Sequence, residues 1–166
     1  MSSAEHKIAV REAFSKSTLH YDSVAEIQRR IASELLSQLP EIFFEAALDA
    51  GCGTAFVARS LEKSHPGTRI LALDQAQGMC LRSGLDNTIC GDIEALPLAP
   101  NSLDLYVSSL AWQWVDPLKA SQEAARVLKP GGRLALATLG PASLHELSEA
   151  FSGLSTRAAS CEALSG

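Results

Sequence analysis

From Ser23 onward, Val24, Ile27, Ile31 and Leu35 fall three or four positions apart, the spacing that gathers apolar side chains on one stripe of an α-helix. Ser23 and Glu26 stand at capping-box spacing, so a helix is predicted from about residue 24 to Leu39, ended by Pro40. A shorter amphipathic helix is predicted at Ile8–Phe14, with Ser15 to Asp22 as the connection. Beyond Pro40 the pattern changes to short apolar runs that close on small or acidic residues. Ala46–Asp49, Ile70–Asp74, Thr88–Cys90, Leu103–Val107 and Leu134–Ala137 are candidate strands.

These runs are too continuously apolar for a sheet with one wet face, and helix-length segments lie between several of them. That argues a parallel sheet covered on both sides. Asp116-Pro117 places an N-cap before a proline at the first helical position, and Pro130-Gly131-Gly132 is expected to stop that helix after Leu128. Ser143 and Glu146 repeat the capping-box spacing, predicting a last helix near Leu144. The expected fold is α/β, a Rossmann-like doubly wound, mostly parallel sheet with five strands. One domain is expected over residues 1–151, with helices in 1–40 and the core in 41–151, followed by a weakly ordered tail over 152–166.

Composition narrows the function classes. Among 166 residues, 14 Lys and Arg face 19 Asp and Glu, a formal charge of −5. Such a chain lacks the positive field that draws in phosphate backbones or anionic lipid, so neither nucleic acid nor membrane is an expected partner. No apolar run approaches the ~20 residues of a spanning helix, and the polar start Met1–Lys7 is no secretory signal, which points to the cytoplasm. Cys52, Cys80, Cys90 and Cys161 match no zinc or disulfide spacing and are read as thiols. No metal site is expected.

Candidate chemistry concentrates in Leu48–Ala55. This segment leaves a strand through Asp49, Gly51, Cys52 and Gly53 and enters a helical pattern at Phe56. Glycines there permit a tight turn against which a ligand can touch backbone, and the following helix aims N–H groups outward. Asp74 ends the second strand about 20 residues further on, where an acid can accept from both hydroxyls of a ribose. Asp92 ends the third, where it can accept from the exocyclic amine of adenine while Ile93 covers the ring. Taken singly, such a turn also serves plain packing and such acids are also simply solvated. It is the agreement of three strand ends that points to a ligand.

A dinucleotide needs a third glycine beneath its pyrophosphate, whereas this chain has Phe56 there and an acid, Asp49, where a diphosphate would be repelled. No Gly-Lys-Ser/Thr follows, so a P-loop is excluded. S-adenosylmethionine, with adenine, ribose, ammonium, carboxylate and sulfonium, suits the set.

Asp49-Ala50-Gly51-Cys52-Gly53, Asp74, Gly91-Asp92-Ile93 and Leu128-Lys129-Pro130-Gly131-Gly132 together resemble the class I S-adenosylmethionine-dependent methyltransferases. Ala13-Phe14, Tyr21-Asp22, Gln28-Arg29-Arg30, the run from Gly91 to Leu98, Ser109 to Trp114 and Thr138 to Leu147 resemble, within that class, the malonyl-acyl-carrier-protein O-methyltransferases of biotin synthesis. The similarity runs from about residue 7 to Phe151. A related group that assists assembly of respiratory complex I shares several of these segments. The resemblance implies a cofactor set of Asp49, Gly51, Cys52, Gly53, Asp74, Gln75, Met79, Asp92, Ile93 and Ser109, and an acyl carrier protein bearing a malonyl group as partner. It names no catalytic side chain.

The chain departs from the family in carrying Ala55 where a third glycine is common, and in ending after the fifth strand of a sheet that has seven. A C-terminally truncated form is therefore expected. Its last strand would present an unpaired apolar edge and a tendency to self-associate. Methylation of a malonyl carboxylate needs no general base, since that group is already ionised at neutral pH. His6, His20, His65 and His145 accordingly lack a nucleophile–base spacing. Tyr21, Tyr106, Trp112, Trp114, Ser108 and Ser109 are candidates to line the cleft, with at least one tryptophan expected in the core and Gln113 near the reactive end. The alternatives to this reading are a catalytically silent adenosyl-binding or assembly module, and a methyltransferase of a quinone or other small acceptor.

Overall fold

A computed structural model describes residues 21–140. Its elements, in chain order, are α1 (Tyr21–Ser37), β1 (Ala46–Ala50), α2 (Phe56–Ser64), β2 (Arg69–Asp74), α3 (Gln77–Ser83), β3 (Thr88–Cys90), β4 (Leu103–Ser109), a 3-10 turn (Trp112–Trp114), α4 (Pro117–Val127) and β5 (Leu128–Ala137). The predicted helices at Ile8–Phe14 and near Leu144, and the tail after Phe151, lie outside the described residues.

The five strands form one sheet in the order β3-β2-β1-β4-β5, and every pairing is parallel. No strand pair beyond β5 is found among the described residues. Parallel neighbours need crossovers, which put helices on both faces. One face buries Ala47, Val57, Ala58, Ile70, Leu105 and Val107 beneath α1 and α2. The other buries Leu48, Leu73, Tyr106, Trp112, Ala120 and Val127 against α4 and the 3-10 turn. Period-two alternation along β4 splits Leu105 and Val107 from Tyr106, and all three are fully buried.

Two boundaries differ from the sequence reading. Ser23 was expected to cap the first helix and Tyr21-Asp22 to precede it, but both fall inside α1. Capping-box spacing alone does not stop a helix from continuing upstream through residues that favour it. β5 also begins at Leu128 rather than Leu134. Asp116 does cap α4, its carboxylate accepting from Leu118 and Lys119 N–H, and the helix ends at Val127. Pro130-Gly131-Gly132 then makes a bulge inside the strand: Leu103 pairs with Leu128, whereas Leu105 pairs with Arg133. A bulge spares proline its missing N–H, and Gly131 takes φ +81° there.

The amino-terminal end of the sheet is tied by charge. Lys129 Nζ lies 2.7 Å from Glu45 Oε2 and 2.9 Å from Asp104 Oδ1. Asp104 Oδ2 accepts the N–H groups of Glu45 and Ala46, each at 2.9 Å. The starts of β1, β4 and β5 are thus held together at the end of the sheet opposite their carboxyl ends.

Candidate crevice at the carboxyl ends of the strands

Strand order reverses at β1, since β2 and β3 lie to one side of it and β4 and β5 to the other. Crossovers leaving in opposite directions cannot cover the strand ends between them, which is where open α/β sheets bind ligands. A cavity of about 230 Å3 opens there. All ten residues predicted from the sequence line it: Asp49, Gly51, Cys52, Gly53, Asp74, Gln75, Met79, Asp92, Ile93 and Ser109.

The turn after β1 is bound to β2 by its own backbone. Gly51 and Cys52 N–H both donate to Leu73 O, at 2.7 and 2.9 Å. Gly51 has φ +79°, and a Cβ there would sit 2.3 Å from that of Ala111, so only glycine fits between the two loops. Gly53 has φ +52°, and a Cβ on it would meet no atom within 4 Å. Its bare backbone therefore faces open space.

Asp74 closes this turn from the neighbouring strand. Its Oδ2 accepts from Gly53 N at 2.9 Å and its Oδ1 from Ala76 N at 2.8 Å. Burial raises its carboxyl above the usual range, with these two N–H groups acting against the rise. Asp49 is deeper, 1% exposed, with Oδ2 accepting the N–H of Ala58 in α2 at 3.0 Å. Burial, and secondarily the charge of Asp74, push it up to about 7, although the Ala58 bond opposes the shift. Cys52 is buried beside both acids, and burial raises its thiol well above the ordinary value.

Asp92 stands in a short turn after β3. Its Oδ1 accepts from Glu94 N at 2.9 Å and its carbonyl from Ala95 N at 3.1 Å. Ile93, 7% exposed, presses toward Gly51. The three acids, from three adjacent strands, thus border one crevice.

Other expectations for this region are corrected. Tyr106 is fully buried under α4, its ring edge-on to Trp112 with centroids 6.4 Å apart, because β4 is covered on both faces. Ser108 is also buried, and its hydroxyl donates to Ala50 O at 2.7 Å, fastening β4 to β1. As expected of at least one tryptophan, Trp112 belongs to the core, while Trp114, 36% exposed, lines the crevice. Gln113 is not a lining residue; its amide donates to Leu110 O at 2.7 Å. The side chain of Tyr21 lies outside the described residues.

Sequence reasoning missed Gln28 and Arg29 on α1, Phe56 and Val57 on α2, and Leu110 and Val115 around the 3-10 turn. α1 buries Ala32, with Leu35, Leu36 and Leu39 packed beside it, whereas Ile27 of the predicted stripe is 61% exposed, so the apolar spacing alone did not show which side of the helix meets the crevice. Of the non-glycine residues in the left-handed region, Leu110 at φ 55° lines the crevice, while Ala55 at φ 64° is buried just before α2 and Asn101 at φ 52° lies away from it. Strain of the kind at Leu110 collects where a structure fixes a ligand-facing backbone.

A family model described as a methyltransferase domain matches residues 48–136. The malonyl-[acyl-carrier protein] O-methyltransferase of Dechloromonas aromatica is 47% identical over 146 residues, covering 87% of this chain and 56% of the relative. The protein of the same name from Gallionella capsiferriformans is 40% identical, covering 91% and 58%. The chain thus spans about half the length of the curated relatives it matches. Among solved structures, an S-adenosyl-L-methionine-dependent methyltransferase, itself so described only provisionally, from Methanococcus maripaludis superposes with a TM-score of 0.58 at 25% identity. It covers 82% of this chain and 64% of that one.

Proposed function

Because the chain belongs to the methyltransferase domain family, we propose that it binds S-adenosylmethionine in this crevice and methylates the free carboxylate of a malonyl group on acyl carrier protein, a step of biotin synthesis. The names of its relatives support the acceptor and the partner. The arrangement of Asp49, Asp74 and Asp92 around the Gly51–Gly53 turn carries the donor.

The residues fit that donor. Asp74, already fixed by two backbone N–H groups, would take the ribose hydroxyls with its remaining lone pairs. Asp92 would take the adenine amino group, with Ile93 against the ring. Gly53 leaves room for the methionine portion at the backbone, and Asp49 is the acid suited to its ammonium. Gln75, Met79, Cys52 and Ser109 complete the walls. Bound there, S-adenosylmethionine supplies a methyl group on a positively charged sulfur.

The chain's part in the reaction is positioning and exclusion of water. Trp114 lines the crevice, where an aromatic ring attracts a cation, and Leu110, Ala111 and Val115 add apolar lining. A dry cleft favours union of opposite charges. The acceptor arrives ionised, so no side chain need remove a proton. His65 packs on Phe44, with ring centroids 5.3 Å apart, and is not a crevice residue.

The same reading takes residues 1–151 as one binding domain, followed by a tail, working in the cytoplasm. No described helix is long and apolar enough to cross a membrane. Calorimetric titration with S-adenosylhomocysteine tests the donor: micromolar binding is expected, and its absence overturns the proposal. Transfer of labelled methyl to malonyl-acyl carrier protein tests the acceptor. Binding without transfer would leave an adenosyl-binding module or a different acceptor, such as a quinone.

A further inference from the structure

The loop between β3 and β4 carries Asp92 and Ile93 and is shaped from within by a short antiparallel bridge, Asp92 with Ala95, and by the bond from Glu94 N–H to Asp92 Oδ1. What fixes its far side is a charged pair on α4. Arg126 donates through Nη1 to Leu98 O at 2.7 Å and through Nη2 to Leu96 O at 2.9 Å. Its Nε and Nη2 also reach the two carboxylate oxygens of Glu123, each at 2.7 Å. Glu123 Oε2 in turn accepts the N–H of Leu96 at 2.6 Å. Leu96 is therefore held at both its donor and its acceptor, and its side chain is buried in the same cluster as Ile93.

A second tie acts on the loop's near side. Glu94, whose N–H orients the Asp92 carboxylate, accepts the N–H of Asp116 at 2.9 Å and lies 3.8 Å from Lys119 Nζ. Asp116 is the N-cap of α4. Both ends of one helix thus grip one loop, at Glu94 and at Leu96 and Leu98, and Asp92 stands just before the first of these points, tied to it by the Glu94 N–H.

A fork of this kind is geometrically exacting. Arginine offers five donors in a plane and here aims them at two carbonyls and a carboxylate, which a lysine cannot match. The sign of each shift agrees: Arg126 holds the Glu123 carboxyl below its usual range, and Glu123 raises the Arg126 guanidinium.

We propose that Arg126 and Glu123 are positioning residues for base recognition, holding the Asp92–Leu98 loop so that the Asp92 carboxylate discriminates the 6-amino group of adenine. This rests on the adenosyl reading above. Neither residue lines the crevice, so any influence on the ligand passes through the loop.

The test compares binding of S-adenosylhomocysteine with that of its analogue carrying hydrogen in place of the 6-amino group. Wild type is expected to prefer the first by about tenfold, the worth of one hydrogen bond to a charged group. Arg126→Gln should reduce that preference to about twofold or less, and Arg126→Lys should restore part of it. Lys129→Ala removes two ion pairs, with Glu45 and Asp104, at the opposite end of the sheet. It should lower the melting temperature while leaving the preference intact, which separates positioning from general stability. If Arg126→Gln proves too unstable to assay, Glu123→Gln is read in the same way. A wild type that prefers the amino ligand, beside variants that keep that preference, overturns the positioning role. Equal wild-type binding of both ligands overturns it too, whereas binding of neither overturns the adenosyl reading itself.

Discussion

Asp49 and Asp74 repel one another across the ends of two neighbouring strands, yet burial is the larger reason that Asp49 is pushed up to about 7. A ligand ammonium beside Asp49 favours its charged form, so binding below pH 7 must expel a proton. Affinity for S-adenosylhomocysteine should rise with pH by up to tenfold per unit until about 7 and then level off. Calorimetry at pH 6 in buffers of different ionisation enthalpy should register the released proton, and Asp49→Asn should abolish the slope.

The same shift has the opposite sign for folding. The native state holds a proton on Asp49 between about pH 4 and 7 that the unfolded chain has lost, so this group's contribution to stability falls as pH rises across that window and is constant above it. Asp49→Asn should therefore raise the melting temperature at pH 8 by about 3–8 °C and change it little at pH 4.

Asp74 has a double duty that makes its removal expensive. Asp74→Ala strands the Gly53 and Ala76 N–H groups and takes away the acceptor assigned to the ribose. Adenosyl affinity should fall by ~1–3 kcal/mol. An unchanged dissociation constant by calorimetry would place the ribose elsewhere.

Backbone strain gives a sharper pair of substitutions. Ala55 sits at φ 64° as the residue before α2, a conformation costing an alanine ~1–2 kcal/mol and glycine almost nothing. Ala55→Gly should be neutral or stabilising by up to about 1 kcal/mol, since the relief is offset by glycine's greater unfolded freedom. Gly51→Ala should cost more than 2 kcal/mol, because strain adds to collision with Ala111. Urea unfolding measures both.

The sequence was most informative where two constraints coincided. β1, β2 and β4 were legible because burial on both faces leaves near-continuous apolar runs, and the site because glycine and acid cluster at their carboxyl ends. Asp116-Pro117 was legible because capping and proline agree. Pro130-Gly131-Gly132 was misread because a helix stop and a strand bulge demand the same residues, and only pairing with β4 distinguishes them. Tyr106 and Ser108 were misplaced for a related reason: alternation along a strand tells which residues share a face, not whether that face meets a helix or a ligand. Gln28 and Arg29 were missed because their role depends on where α1 lies, which no local pattern encodes.

β5 pairs with β4 alone among the described residues, and Leu134 is 46% exposed on it. A strand edge bearing apolar side chains invites pairing with another chain. Sedimentation of the 166-residue chain at tens of micromolar should show association that Leu134→Lys weakens. A wild type that sediments as a monomer would remove this edge as an interface.

The clasp of Lys129 with Glu45 and Asp104 lies at the pole of the sheet opposite the crevice. Added electrolyte screens such an exposed clasp far more than acids enclosed among strands. Salt or mutation that loosens this clasp therefore acts on the base of the sheet and leaves the crevice acids as they were.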